Sequence, residues 1–357
     1  MTSGDRAHDS NLTVVSSYGA GGSSARVRLF DWMNYLELPF EQSDYLGKSD
    51  NALSTILKEL PRVALAERRL RQLAESRDLS RVLLGREASP FSNGVVEASL
   101  LEAADRGIYD FDDALFAYPT GGVRRIWSKR LVWERSVVAA DVVIAGNDYL
   151  AEAASKFSAS VVMVPSCVDP DGYAQKTDFA VAEIPRAMWI GSPSTEQYLS
   201  LVEAPLLRLH RERGLRLTVI SAGEQSLGAL DQMVDRVNWS AESFGAELAR
   251  ADVGIMPLPD SDFARGKCAY KLLQYGAAGL PSVASPVGAN ALALARSGGL
   301  PATTDDEWFE AVESLIDAST DARSKLGGQA RGAIREHYSF QAWAPAFREA
   351  IGATVAL

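Results

Sequence analysis

Residues 265–290, RGKCAYKLLQYGAAGLPSVASPVGAN, carry the pattern that decides the fold of this chain. The spacing predicts a helix over 266–278. Gly279 stands where a left-handed cap belongs, and Pro281 bars continuation. Positions 267, 271 and 274 recur at i, i+4 and i+7, so Lys267, Lys271 and Gln274 share one helix face. The lysines fall in the first turns, with Arg265 just ahead, where free N–H groups and the helix dipole already favour an anion. Gln274 lies one turn deeper, within reach of a hydroxyl-bearing group attached to that anion. Residues 282–284 then read as a short buried strand, closed by a turn at Pro286–Gly288. A ligand with a phosphate and a sugar suits this layout; a merely solvated lysine face is the plainer alternative.

Outward from that stretch, strand-like and helix-like segments alternate, as in a parallel sheet with crossover helices. In the first half, residues 12–16, 81–85, 107–111, 142–145 and 161–164 read as strands. In the second half, 187–191, 215–221, 253–257 and 282–285 do so. Helices are expected near 195–212, 241–250, 266–278, 306–318 and 321–337. The chain has 357 residues, which is enough for two domains. At 47% hydrophobic and 23% charged it has an ordinary globular composition. A net charge of −10 argues against a general nucleic-acid binder. No apolar run reaches the roughly 18 residues of a membrane span, and the N-terminus MTSGDRAHDS is polar. Two cysteines, Cys167 and Cys268, make no disulfide scaffold and fit a reducing cytoplasm. His8, His210 and His337 give a zinc cluster or a Ser-His-Asp site little to draw on.

The 265–290 stretch resembles the signature of the retaining glycosyltransferases of family 4. That resemblance implies two facing Rossmann-like domains, the GT-B fold, with a central cleft and a C-terminal helix crossing back to the first domain. It also implies residues 1–169 as the acceptor-binding domain, 170–186 as linker, 187–337 as the nucleotide-sugar domain and 338–357 as the returning helix. The family carries two glutamates eight positions apart; here their places are taken by Gly266 and Gln274. The second glutamate commonly holds the nucleotide ribose, and a glutamine amide can still donate and accept there. The resemblance implies transfer of a hexose or amino-hexose from a nucleoside diphosphate sugar, UDP-linked, to a small hydroxylated acceptor. A nucleotide-sugar epimerase and a non-catalytic glycan- or nucleotide-binding pair of lobes are the alternatives.

Other stretches add candidate residues. Gly21 and Gly22 lie in the loop after the first strand, where glycine permits close backbone approach. The family resemblance implies that this loop lets the donor phosphate and sugar come near the first domain. A plain structural turn and a nicotinamide-type fingerprint, with Ser24 at its third glycine position, are the alternatives. Gly191, Ser192, Ser194 and Thr195 follow the first strand of the second half and open a helix. Their hydroxyls and free N–H groups face an anion there, or serve only as an N-cap. Trp239 falls where relatives hold the base, or is structural. Asp110 and Asp112 alternate onto one side of a strand end and are candidates to bind the acceptor's hydroxyl or amine at the cleft floor. Asp-x-Asp also resembles the metal motif of the single-lobed glycosyltransferases, but lysines and a helix start neutralise phosphate without a metal. No cofactor other than the donor is therefore expected. Arg265 and Lys267 are the catalytic candidates, stabilising the leaving phosphate. The basic amphipathic segment 62–77, RVALAERRLRQLAESR, is interrupted by Glu67 and Glu75, which favours an ordinary surface helix over a membrane-docking one.

Overall fold

The computed structural model describes residues 12–48, 56, 58–76, 78–118, 121–240 and 244–353. The polar N-terminal stretch, the first three residues of the expected helix 241–250 and the last four of the segment 338–357 lie outside them. The chain divides into two compact units, Met1–Ser166 with Trp343–Leu357, and Cys167–Ala342.

The first unit is a six-stranded parallel sheet formed by β1 (Leu12–Ser16), β2 (Glu41–Asp44), β3 (Arg81–Gly85), β4 (Arg106–Phe111), β5 (Val142–Ala145) and β6 (Val161–Met163). Its order is β2-β1-β3-β4-β5-β6. The central strands are buried along nearly their whole length, as in sheets covered by helices on both faces. The last turns of the chain also belong here. Phe347 stacks on Trp32 with ring centroids 4.2 Å apart, and Arg106 donates to the carbonyl of Ala350.

The second unit repeats the plan with β7 (Arg186–Ile190), β8 (Arg216–Ile220), β9 (Val234–Val237), β10 (Val253–Met256), β11 (Ser282–Ala284) and β12 (Leu300–Pro301), in the order β12-β11-β10-β7-β8-β9. From β7 the chain winds outward through β8 and β9, then returns to the other side of β7 with β10. That reversal makes a topological switch point between β7 and β10, the place where open α/β sheets bind ligands. Residues 170–186, expected as a linker, lie within this unit. Lys176 donates its backbone N–H to Ala278, and buried Arg323 donates to the carbonyl of Phe179.

The helix expected over 266–278 is broken. Asp262–Arg265 forms one short turn, and the helix proper is Tyr270–Ala278, capped by Gly279 at φ 73°. Between them Ala269 is left-handed, at φ 55°. That conformation costs a β-carbon-bearing residue about 1–2 kcal/mol. Ala269→Gly should therefore raise stability by roughly 0.5–1 kcal/mol, once the larger unfolded-state entropy of glycine is subtracted. Chemical denaturation midpoints measure this, and an unchanged or lowered midpoint contradicts the strain. Among the described residues no helix is long and apolar enough to cross a membrane.

Candidate functional site

The carboxyl ends of β7 and β10 open because their ladder is short. The two strands pair only through Ala187 with Val253 and Met188 with Gly254. Further along, the hydroxyl of Tyr275 stands between them, accepting from the N–H of Ile190 at 3.3 Å and donating to the carbonyl of Ile255 at 3.0 Å. Burial pushes the Tyr275 hydroxyl's pKa up, so it keeps the proton it donates. The strands thus diverge toward the loop 191–195 on one side and the loop after β10 on the other. That second loop is fastened where Leu258 donates its N–H to Ser285 Oγ at 3.0 Å.

Lys271, in the first turn of Tyr270–Ala278, comes to this opening. Its Nζ lies 5.0 Å from the ring centre of Trp189, a buried residue of β7. Gly191 fits against the same pair. A β-carbon there would stand 2.4 Å from the indole and 3.0 Å from Lys271 Cε, closer than atoms pack. Glycine at 191 therefore lets backbone, indole and ammonium converge. Ser192 Oγ lies 3.1 Å from Ser194 Oγ and 3.3 Å from Thr195 Oγ1, so three hydroxyls gather at the start of the 3-10 helix Pro193–Val202. Gln274 is only 4% exposed, one turn from Lys271 on the same helix face.

Other expected residues are placed differently. Lys267 is not on the helix face with Lys271, because the helix starts three residues later; its Nζ lies 4.6 Å from the centre of the Phe263 ring. Gly266 caps the preceding short turn and is buried. Arg265 ends that turn instead of starting the long helix, and its guanidinium is forked onto Asp260 at 2.7 and 3.1 Å. This pairing holds the Asp260 carboxyl below its ordinary range and already engages the charge meant for phosphate. Trp239 stacks on Phe244 with centroids 6.0 Å apart and packs against the core.

In the first unit, Gly21 is exposed and Gly22 precedes the turn Ser23–Ala25, after β1 and beside that sheet's own switch point between β1 and β3. Asp110 is not at an open floor. It is fully buried and gripped by Arg28, with Nε to Oδ1 at 2.9 Å and Nη2 to Oδ2 at 2.7 Å, while Nη1 donates to the carbonyl of Val164 at 2.8 Å. Both carboxylate oxygens are taken up within the protein, which removes Asp110 from acceptor binding and from the metal motif. Asp112 faces Arg86, whose Nη1 is 3.7 Å away and 2.9 Å from Asp113. Burial opposes the charge of Arg86, but the two carboxylates outweigh it and raise its pKa. Arg86 also donates to Ser24 Oγ at 3.0 Å, tying this network to the loop after β1.

With this geometry in view, residues 184–318 match the family described as Glycosyl transferases group 1. The match spans β7 to β12 and so includes the opening between β7 and β10. Solved structures align over almost the whole chain. HepE of Anabaena, crystallised with UDP-glucose, shares 14% identity over 96% of this chain and 100% of its own, with a TM-score of 0.70. A UDP-forming α,α-trehalose-phosphate synthase from Burkholderia vietnamiensis shares 13% over 97% and 100%, at 0.67. WaaG, a glycosyltransferase involved in lipopolysaccharide biosynthesis, shares 13% over 96% and 100%, also at 0.67. The chain has the GT-B fold. No curated protein matches it by sequence. Matched domain and GT-B fold together support a glycosyltransferase.

Two residues beside the opening between β7 and β10 carry no signal in the sequence. By sequence alone Trp189 is one more apolar residue of the strand-like segment 187–191, and Tyr275 lies within the expected helix 266–278. Neither spacing nor charge marks a tryptophan as the neighbour of a lysine 82 positions away; only the β7-to-β10 reversal brings them together.

Proposed function

We propose that this chain is a retaining glycosyltransferase that moves a hexose or amino-hexose from a UDP-linked sugar to a small hydroxylated acceptor. The observation that carries the proposal is the opening between β7 and β10. There Gly191 and Lys271 meet at the start of the helix Tyr270–Ala278, and buried Gln274 lies one turn deeper on the same helix. An anion at the helix start is favoured by dipole and ammonium together. A ribose attached to that anion would bring hydroxyls toward the Gln274 amide, which can both donate and accept.

Retention fits departure of the phosphate on the same face from which the acceptor arrives, the leaving phosphate accepting the acceptor's proton. The protein's part is then to stabilise charge growing on that phosphate, through Lys271 first and Lys267 from the adjoining turn. These cations take the place of a divalent ion, so transfer is expected to survive excess chelator.

The test is transfer from UDP-glucose and related donors to a panel of small polyols and sugars, followed by mass spectrometry, with and without chelator. UDP release that requires an acceptor supports the proposal. Interconversion of donors without acceptor indicates an epimerase, and binding without turnover a non-catalytic protein.

Gln274 gives a sharper check. Gln274→Glu should keep or tighten UDP binding, because a carboxylate makes a charge-assisted bond to a ribose hydroxyl. Gln274→Leu should weaken it about 5- to 150-fold, the equivalent of roughly 1–3 kcal/mol for an unpaired hydroxyl. Unchanged affinity in a folded leucine variant removes residue 274 from the ribose.

A further inference from the structure

Trp189 is among the most deeply buried large side chains of the protein, at 1% exposure, and stands two residues before Gly191 on β7. A buried indole in a strand ordinarily fills space. This one does so against Leu199, Val202 and other apolar neighbours of the same core. Yet it also lies against the two residues that define the opening. Lys271 Nζ sits 5.0 Å from its ring centre, and its Cη2 and Cζ2 atoms lie 2.4 and 2.7 Å from where a β-carbon on Gly191 would be. The negative face of an indole attracts an ammonium, most strongly where water is excluded. Lysine has a flexible four-carbon stem with many rotamers, so an ammonium at a strand opening is poorly placed unless something holds it.

We infer that Trp189 is a positioning residue for diphosphate binding: its ring holds the Lys271 ammonium beside the Gly191 backbone, so that lysine and loop meet the donor as one preformed cradle. This rests on the proposed nucleotide-sugar site. Trp189 acts through Lys271 and need not touch the donor. The benefit is preorganisation: the lysine rotamers are restricted before the ligand arrives, which lowers the entropy lost on binding.

The experiment is a double-mutant cycle on UDP affinity, by calorimetry on the full chain, with wild type, Trp189→Leu, Lys271→Met and the double variant. Trp189→Phe is included because a phenyl ring keeps an aromatic face with less volume removed, and thermal denaturation checks that each variant is folded. Trp189→Leu should weaken UDP binding about 2- to 30-fold, the range of a cation–π contact. Trp189→Phe should lose less. The decisive reading is the coupling: in the Lys271→Met background, Trp189→Leu should cost almost nothing further. An equal loss with and without Lys271, or wild-type affinity in folded Trp189→Leu and Trp189→Phe, makes Trp189 a core residue alone and overturns the inference. If Trp189→Leu does not fold, the cycle is closed with Trp189→Phe and judged by the same coupling. A wild-type chain that binds no nucleoside diphosphate instead overturns the functional reading beneath it.

Discussion

Lys271→Ala is expected to lower kcat/KM for the sugar donor by roughly 100-fold with the fold intact. The lysine stands in the first turn of Tyr270–Ala278, at the carboxyl ends of β7 and β10, beside a glycine that brings the backbone to the same point. Removing one preorganised donor to a developing negative charge costs on the order of 100- to 1,000-fold in kcat. Part of the loss at Lys271 falls on ground-state binding, because UDP alone already carries the charge. KM and kcat are therefore both expected to move. Lys267→Ala should have a smaller effect, since Lys267 lies in the turn before the helix rather than on its face. Steady-state kinetics with varied donor separate the two lysines. Near wild-type turnover in folded Lys271→Ala, with a large loss in Lys267→Ala, would reverse their roles.

Asp110→Ala is expected to destabilise the first unit by about 3–5 kcal/mol, because it leaves the Arg28 guanidinium buried without its carboxylate. For a unit of this size that corresponds to a fall in melting temperature of roughly 10 °C. Replacing both partners, as in Arg28→Met with Asp110→Leu, should recover most of the loss, since a buried ion pair gains little over well-packed apolar groups. Thermal denaturation of the single and double variants checks both statements. An Asp110→Ala variant with unchanged melting temperature and a raised KM for acceptor would return Asp110 to the acceptor site.

Asp110 and Asp112 looked alike on alternation, but Arg28 lies 82 positions before Asp110, and nothing local announces a buried arginine. The strands that sequence located best are the central ones, such as β3, β5 and β10, where a continuous apolar run marks burial on both faces. β2, with the sequence Glu-Gln-Ser-Asp, β9 and the two-residue β12 lie toward or at sheet edges and carry little apolar signal. The helix Ala289–Ser297 was also not expected. It starts directly after the Pro286–Gly288 turn, with Gly288 as its N-cap and Ala289 and Asn290 as its first residues. The end of the helix over 270–278 was legible, because glycine at 279 and proline at 281 have direct backbone consequences. Its beginning was not, because Ala269 is a strong helix former held left-handed by its surroundings. The sequence therefore showed which cationic and amide residues belong near one helix start, while the β7-to-β10 reversal decides which of them share a point in space.

The most direct measurement is calorimetric titration of the full chain with UDP and with UDP-glucose, repeated on Gly191→Val. Substitution at 191 drives a side chain into the indole and the Lys271 stem, so it closes the opening without removing any charge. Saturable, one-to-one binding by wild type that falls at least tenfold in a folded Gly191→Val chain is the expected result. Binding of equal strength in the two proteins would place the nucleotide elsewhere and contradict the site between β7 and β10.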